Sequence, residues 1–508
     1  MLPLLFSLSL LSPGLAAVAP RPRSVITRGD GFVRASVNAV QHAPRLRARQ
    51  NAVDLENMDS GTRYAIDVAV GTPPQTVSLI IDTGSPELWV NPRCDTANDA
   101  AACAAEPQYD PDGSSSLADT GVTNVITYGK GNVSIQYVFE TISIGSATIT
   151  EQVIGVGLDS YDIPMGILGL SPDTDGTADY PYVLDTMASQ AVIASRAFSL
   201  DLRSVSDPSG AVIFGGVDTG KFSGTLQKLP ILAPSQTPTG ADRYWVSLTG
   251  VGMTQPDGSA DRTPANAIDV PVFLDSGGTL SRLPTAIFQA IGNSFPGAQF
   301  DARSGFFVVP DCSALADSGG TVDFFFAGDV AVIRVPFAEF VWQPASAGNS
   351  AECLLGVLPD DDEPVLGDSF LRAAYVVFDQ DNRALHIAQA ASCGAENLVA
   401  IGKGVDAVPS ATGLCEGAAQ PTSAGDLDVA ATQAPTRTFS GSAPAVTAPL
   451  GGPGPVKSMA KTTGTPNPTG LAAPKETADK KNAAVGGVSV GLGAGVALMV
   501  ANIVAWTL

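Results

Sequence analysis

The sequence predicts an all-β chain, mostly strands with few short helices, folded as two duplicated lobes with the site in the cleft between them. Three observations carry this expectation. Between residues 60 and 395, short apolar runs such as Val77–Leu79–Ile81, Val138–Ile144, Val212–Phe214 and Tyr375–Phe378 are separated by Gly, Pro and Asp turns. Helical candidates are few, with 183–195 and 284–293 the best. A strand-Asp-turn pattern occurs twice, and an apolar-apolar-Gly segment follows each copy at a similar distance.

Composition agrees. Gly (53) and Pro (38) are abundant among 508 residues and only 15% are charged, which is turn-rich and unlike a helical bundle. Twenty-eight Lys and Arg against 50 Asp and Glu give a net charge of −22. Nucleic acid is excluded as a partner, because affinity for it comes from cationic contacts to phosphate. The only histidines, His42 and His386, lie far apart in sequence, so a helical zinc motif of the H-E-x-x-H type is impossible. A Ser-His-Asp triad would have to rest on one of them. Carboxylate chemistry is therefore favoured, with no metal and no cofactor.

The two ends read as processing and anchoring segments. Residues 3–16 are apolar and uncharged and are followed by small residues, so 1–19 reads as a signal peptide. Seven Arg and one acid lie between residues 20 and 50, ahead of an acidic body. Residues 20–55 are expected to be a basic propeptide held electrostatically, with Arg45–Arg49 a processing site and a plain disordered arm as the alternative. Residues 421–482 hold nine Pro and fourteen Ser or Thr, a composition unable to offset chain entropy, and read as a stalk. Residues 483–508 are apolar to the last position with no basic residue after them. They read as a GPI-attachment signal, with attachment at Asn482 and a single transmembrane helix as the alternative.

Six cysteines in a secreted context imply disulfides. Six allow about 15 pairings, and sequence proximity suggests Cys94–Cys103, Cys312–Cys353 and Cys393–Cys415.

Asp-(Thr/Ser)-Gly occurs six times, beginning at Asp59, Asp82, Asp119, Asp218, Asp275 and Asp317. Asp82 follows Val-Ser-Leu-Ile-Ile and Asp275 follows Val-Pro-Val-Phe-Leu, apolar runs suited to a buried strand that ends in a tight turn. The other four lack such a run and read as surface turns. Gly169 lies 87 residues after Asp82, and Gly367 lies 92 after Asp275. The repeat suggests two related lobes, 60–240 and 241–395, each bringing one Asp to a shared interface, followed by an extension at 396–420.

With those segments in order, the chain resembles the pepsin-type aspartic endopeptidases over residues 62–392. The matching stretches are Tyr64–Gln75, Ile81-Asp-Thr-Gly-Ser85, Leu88-Trp-Val90, Thr127–Gly131, Gly166-Ile-Leu-Gly-Leu170, Asp275-Ser-Gly277 and Leu366–Leu371. The Leu-Trp-Val-Asn-Pro wording and the C-terminal tail resemble the fungal, GPI-anchored yapsin-like branch. The resemblance implies a pepsin-like bilobal fold and a catalytic pair, Asp82 and Asp275. It also implies support from Gly84, Ser85, Ser276 and Gly277, and a flap formed by Tyr128, Gly129 and Lys130, with Trp89 packed on Tyr128. Protein or peptide substrates, the chain's own propeptide and a membrane reached through the anchor are the implied partners, and a monomer is the implied state.

Two carboxylates held close cannot both ionise cheaply, so they share one proton and titrate as a unit. The ionised partner can act as base on a water between them and the protonated partner as acid to the peptide carbonyl. The sequence departs from the family at Gly278, where a hydroxyl residue is usual. Unless Thr279 substitutes, Asp275 lacks a donor and is expected to be the partner holding the proton. A second departure is Lys130 near the flap tip, expected to disfavour basic substrate side chains. Asn132-Val-Ser134, a glycosylation sequon, also lies in the flap. The expected product is a secreted, cell-surface zymogen with endopeptidase activity. The rival readings are an inactive pepsin-like binding protein and a cell-wall glycoprotein.

Overall fold

The computed structural model describes residues 27–29, 32–40 and 63–416, apart from positions 146, 205–208, 264–267, 316–317, 329 and 344–350. The expected signal peptide, the Arg45–Arg49 processing site, Asp59, Asp317, the stalk, Asn482 and the GPI signal lie outside the described residues.

The molecule is mostly β. One sheet of 14 strands runs through it, beside smaller sheets of eight, four and two strands. The duplication is visible in the pairing. Strand Gln75–Asp82 runs parallel to Gly166–Gly169, with Asp82 opposite Gly169, and strand Leu88–Val90 closes antiparallel on the other side of Gly166–Gly169. In the second copy, strand Val270–Leu274 runs parallel to Val365–Leu366, and Ser281–Leu283 closes antiparallel on it. Each apolar-apolar-Gly segment is thus the partner that fixes the end of an Asp-bearing strand. Burial deepens toward each Asp, with Leu79 and Ile81 in the first copy and Val272, Phe273 and Leu274 in the second buried.

The helices are short. The first of the two expected helices spans Val183–Ser189 and stops short of residue 195. Ala191 takes a positive φ of 57°, and the amide of Val192 turns back to the carbonyl of Met187, so the helical ladder cannot continue. The second spans Thr285–Ser294.

Strands Ala197–Asp201, Ser209–Phe214, Ala374–Asp379 and Ala384–Ala390 bring both halves of the chain into the large sheet. Its two faces differ. Phe198, Leu200, Phe214, Val376 and Phe378 face the main core, where Phe198 and Phe378 stack at 4.7 Å. Ala197, Phe222, Tyr375 and Val377 point the other way, as strand alternation requires. That outer face is covered by the C-terminal extension through Ile401, Ala407 and Val408. Strand Leu398–Ala400 pairs with Gly216–Asp218, and Cys393–Cys415 closes the extension onto the body. The other bridges are Cys94–Cys103 and Cys312–Cys353.

The N-terminal segment holds a finding of its own. Residues 32–40, inside the stretch read as a detachable basic arm, form an inner strand of the large sheet. It lies antiparallel between Ser209–Phe214 and Arg63–Val70. Phe32, Val33 and Ala35 are buried, and Arg34 reaches Glu396 of the extension at 3.0 Å. Backbone pairing on two edges and apolar burial hold this strand, with charge playing one part only.

Candidate active site

The apolar run Val77, Leu79, Ile81 is buried and delivers Asp82 to the end of its strand with 6% of its surface exposed. Val272, Phe273 and Leu274 do the same for Asp275, which is half-buried. The two turns are locked to each other by a reciprocal set of hydrogen bonds. The Thr83 hydroxyl donates to the carbonyl of Leu274 at 2.9 Å and accepts the amide of Ser276 at 3.0 Å. The Ser276 hydroxyl donates to the carbonyl of Ile81 at 2.8 Å and accepts the amide of Thr83 at 3.2 Å. Thr83, absent from the expected set, is therefore the counterpart of Ser276. Its signal was the hydroxyl residue in the middle of the tripeptide, which all six copies share and which therefore discriminates nothing.

The glycines have a specific steric reason. A Cβ on Gly84 would lie 2.5 Å from Asp275 Oδ1, and one on Gly277 would lie 2.6 Å from Asp82 Oδ1. Each bare backbone makes room for the other lobe's carboxyl, so the two acids meet. The Gly84 amide donates to Asp82 Oδ1 at 2.7 Å, and the Gly277 amide donates to Asp275 Oδ1 at 2.8 Å. The Ser85 hydroxyl donates to Asp82 Oδ2. Burial pushes the Asp82 carboxyl well above the usual range, the charge of Asp275 adds to this, and the donors Ser85 and Gly84 oppose it.

This pulls against the expectation that Asp275 holds the shared proton. That expectation counted hydrogen bonds alone; burial favours the neutral form at Asp82, the less exposed member. The Gly278 departure is real: no Ser or Thr hydroxyl donates to Asp275 among the described residues. Thr279 engages through its carbonyl, which accepts the amide of Ser369 at 3.2 Å.

The flap is the hairpin of strands Ala118–Thr127 and Asn132–Ile144. Tyr128 opens its turn, and its hydroxyl accepts the indole N–H of Trp89 at 2.7 Å; Trp89 is fully buried. Burial and then the charge of Asp82 push the Tyr128 phenol far above its ordinary value, so it keeps its proton. Gly129 is exposed at the tip. Gly131 takes φ of 77°, and a Cβ there would lie 2.3 Å from the carbonyl of Tyr161. Lys130 pairs with Asp162 at 3.7 Å, so its ammonium already has a counter-charge. Asn132 is exposed at the start of the second flap strand.

Two further carboxyls stand close by and were not anticipated. Glu87 Oε1 accepts the phenols of Tyr137, at 3.0 Å, and of Tyr180, tying the flap and the 171–182 loop to the turn after Asp82. Asp368, at the start of helix Asp368–Leu371, is fully buried and pushed well above the usual range, and its amide donates to the carbonyl of Gly278 at 2.8 Å. Of the remaining Asp-(Thr/Ser)-Gly copies, Asp119 is exposed and caps Gly121 at 2.9 Å. Asp218, read as a surface turn, is instead fully buried. It accepts the amides of Gly220 at 3.0 Å and Asn397 at 2.8 Å, because the C-terminal extension folds over it.

Among the described residues no group of His, Cys, Asp and Glu is arranged to hold a metal ion. The geometry provides two carboxyls, one buried and disfavoured as an anion, beneath a hairpin that carries a phenol. That arrangement suits acid-base chemistry on a water molecule.

Comparison with known proteins fits this geometry. The profile of the eukaryotic aspartyl proteases matches residues 63–390. The probable aspartic-type endopeptidase opsB of Aspergillus oryzae is 34% identical over 389 residues, covering 72% of this chain and 77% of the relative. Candidapepsin-1 of Candida albicans is 33% identical over 400 residues, covering 76% of this chain and 95% of the relative. The crystal structure of the aspartic proteinase from Irpex lacteus superposes with a TM-score of 0.52 at 22% identity. It covers 71% of this chain and 99% of that one, a likeness of fold.

Proposed function

Because the chain belongs to the eukaryotic aspartyl protease family and is an aspartic-type endopeptidase, we propose that Asp82 and Asp275 are its catalytic pair. The observation that carries this reading is the mutual approach of the two carboxyls, each across the other lobe's glycine. One proton is shared between them. The ionised partner removes a proton from a water, whose oxygen attacks the peptide carbonyl, while the protonated partner donates to the carbonyl oxygen. The resulting gem-diol collapses with proton transfer to the leaving amine, so no acyl-enzyme forms. Thr83 and Ser276 hold the turns in register. Ser85 orients Asp82, and Tyr128, fixed by Trp89, closes over substrate.

The same reading extends to delivery. A signal peptide at 1–19, a stalk at 421–482 and a GPI signal with attachment at Asn482 suit a fungal yapsin-like enzyme acting as a monomer at the cell surface. Relatives named secreted aspartic proteases in Candida albicans support secretion. Lobe boundaries at 60–240 and 241–395 follow the duplication. A basic propeptide at 20–55 belongs to the same reading, with strand Phe32–Val40 pairing with the body from within it.

The test is a peptide-library digest from about pH 3 to 7, since the acid-base contribution at stake is roughly 10²–10⁴-fold. Asp82→Asn and Asp275→Asn should each lose about 10³-fold in kcat/KM with unchanged folding, and Asp119→Asn should keep full activity. A well-folded Asp275→Asn enzyme that still cleaves at the parental rate rejects the pair.

A further inference from the structure

We propose that Asn132 carries an N-linked oligosaccharide whose first sugar packs on the ring of Tyr161, so that the glycan roofs the outer face of the flap and stays out of the cleft. The sequon Asn132-Val-Ser134 opens the second flap strand, and strand alternation fixes where it points. Val133 and Ile135 are fully buried in the cluster around Trp89, on the side of Tyr128. Asn132 therefore projects to the opposite, outer side, where it is exposed.

Its neighbours there suit a sugar. Asn132 is directly opposite Tyr161 on one adjoining strand and Thr127 on the other. Directly opposed residues share a face, with Cβ atoms about 5 Å apart. Tyr161 is 64% exposed, and Val125, next along the same face, is 63% exposed. Val125 and Tyr161 stand on the two strands that flank Asn132–Ile144, so exposed apolar side chains lie on both sides of the sequon. A pyranose joined to the Asn132 amide presents its C–H face to the electron-rich face of the Tyr161 ring, the arrangement aromatic rings favour for partners with positive hydrogens. The tip beside it is already seated. Gly131 lies against the Tyr161 carbonyl, and Lys130 pairs with Asp162. The sugar would join strands Asn132–Ile144 and Ala147–Tyr161 at the same corner.

The inference goes beyond the catalytic reading and relies only on passage through the secretory pathway. The full chain is expressed in a glycosylating eukaryotic host and compared with Ser134→Ala, which removes the sequon but keeps Asn132, and with Tyr161→Ala, which keeps the sequon but removes the ring. Occupancy is read by mass spectrometry of the Asn132 peptide, flap opening by amide hydrogen exchange over residues 123–134, and catalysis by kcat/KM on a short peptide. Wild type and Tyr161→Ala should both be occupied. Flap amides should exchange about fivefold faster in both variants than in wild type, with kcat/KM within about twofold throughout. An unmodified Asn132 in secreted enzyme overturns the proposal. So does equal exchange in all three proteins, or faster exchange in Ser134→Ala alone. A tenfold rise of kcat/KM in Ser134→Ala would mean that the sugar reaches into the cleft, which also overturns it. Failure of secretion refutes the delivery reading instead; a host leader in place of residues 1–19 then decides the glycan.

Discussion

Replacing Gly278 by Ser tests how the catalytic pair holds its proton. A Cβ at this position would lie 3.6 Å from Asp275 Oδ2, ordinary contact, with nothing closer. A serine hydroxyl fits without displacing a neighbour and can reach that oxygen. A hydrogen bond to an ionised carboxylate contributes roughly 1.5–3 kcal/mol, or about one to two pKa units. Asp275 is half-buried, so solvent competes and about one unit is expected. The pair loses two protons in sequence, and the added donor stabilises only forms in which Asp275 is ionised. The sum of the two apparent pKa values must therefore fall by about one unit, whichever group loses its proton first. The division between them locates the shared proton. If Asp82 holds it, Asp275 is already ionised in the active form, and only the acidic limb of kcat/KM against pH moves down. If Asp275 holds it, only the alkaline limb moves down. Burial of Asp82 predicts the first outcome. Movement confined to the alkaline limb refutes the burial argument, and no acidic movement of either limb refutes the hydrogen bond itself.

Asp218→Ala should cost about 2 kcal/mol in denaturant unfolding, because two buried amides lose their acceptor, while kcat/KM of the folded enzyme stays within about twofold. A chain beginning after Val40 should fail to fold into active enzyme, whereas one beginning at Arg23 should fold, as read by circular dichroism and activity; equal activity would show that strand Phe32–Val40 is dispensable. Asp162→Asn should release the Lys130 charge and reduce cleavage beside Lys or Arg relative to Leu by about threefold, whereas Lys130→Ala should change that ratio less than twofold, because the ion pair already balances it. A strong gain in cleavage beside basic residues in Lys130→Ala would contradict the pairing.

What the sequence disclosed and what it hid divide along one physical line. Asp82 and Asp275 were legible because the strand that delivers each is a local apolar run, and strand-turn contrast is written in neighbouring residues. The cysteine pairs were legible because each lies near in sequence. Asp218 was misjudged because its burial depends on Asn397, 179 positions later. The role of Thr83 depends on Leu274 and Ser276 of the other lobe. Strand Phe32–Val40 was overlooked because Arg34 and the arginines on either side of the strand outweighed the alternation of Val33 and Ala35, which only a partner on each side makes meaningful. Local polarity patterns survive in one dimension; contacts made across the duplication do not.

The C-terminal extension fixes where a pull on the C-terminal end of the described residues would enter the molecule. Ile401, Ala407 and Val408 lie on the outer face of the large sheet, while the core on its inner face runs to the two aspartate turns. Such a load enters at Cys415 and passes through its bridge to Cys393 into the body, bypassing the loop between two cysteines 22 positions apart. A pull applied there would therefore bear on the outer face of the large sheet, leaving the hairpin and the paired aspartates unloaded.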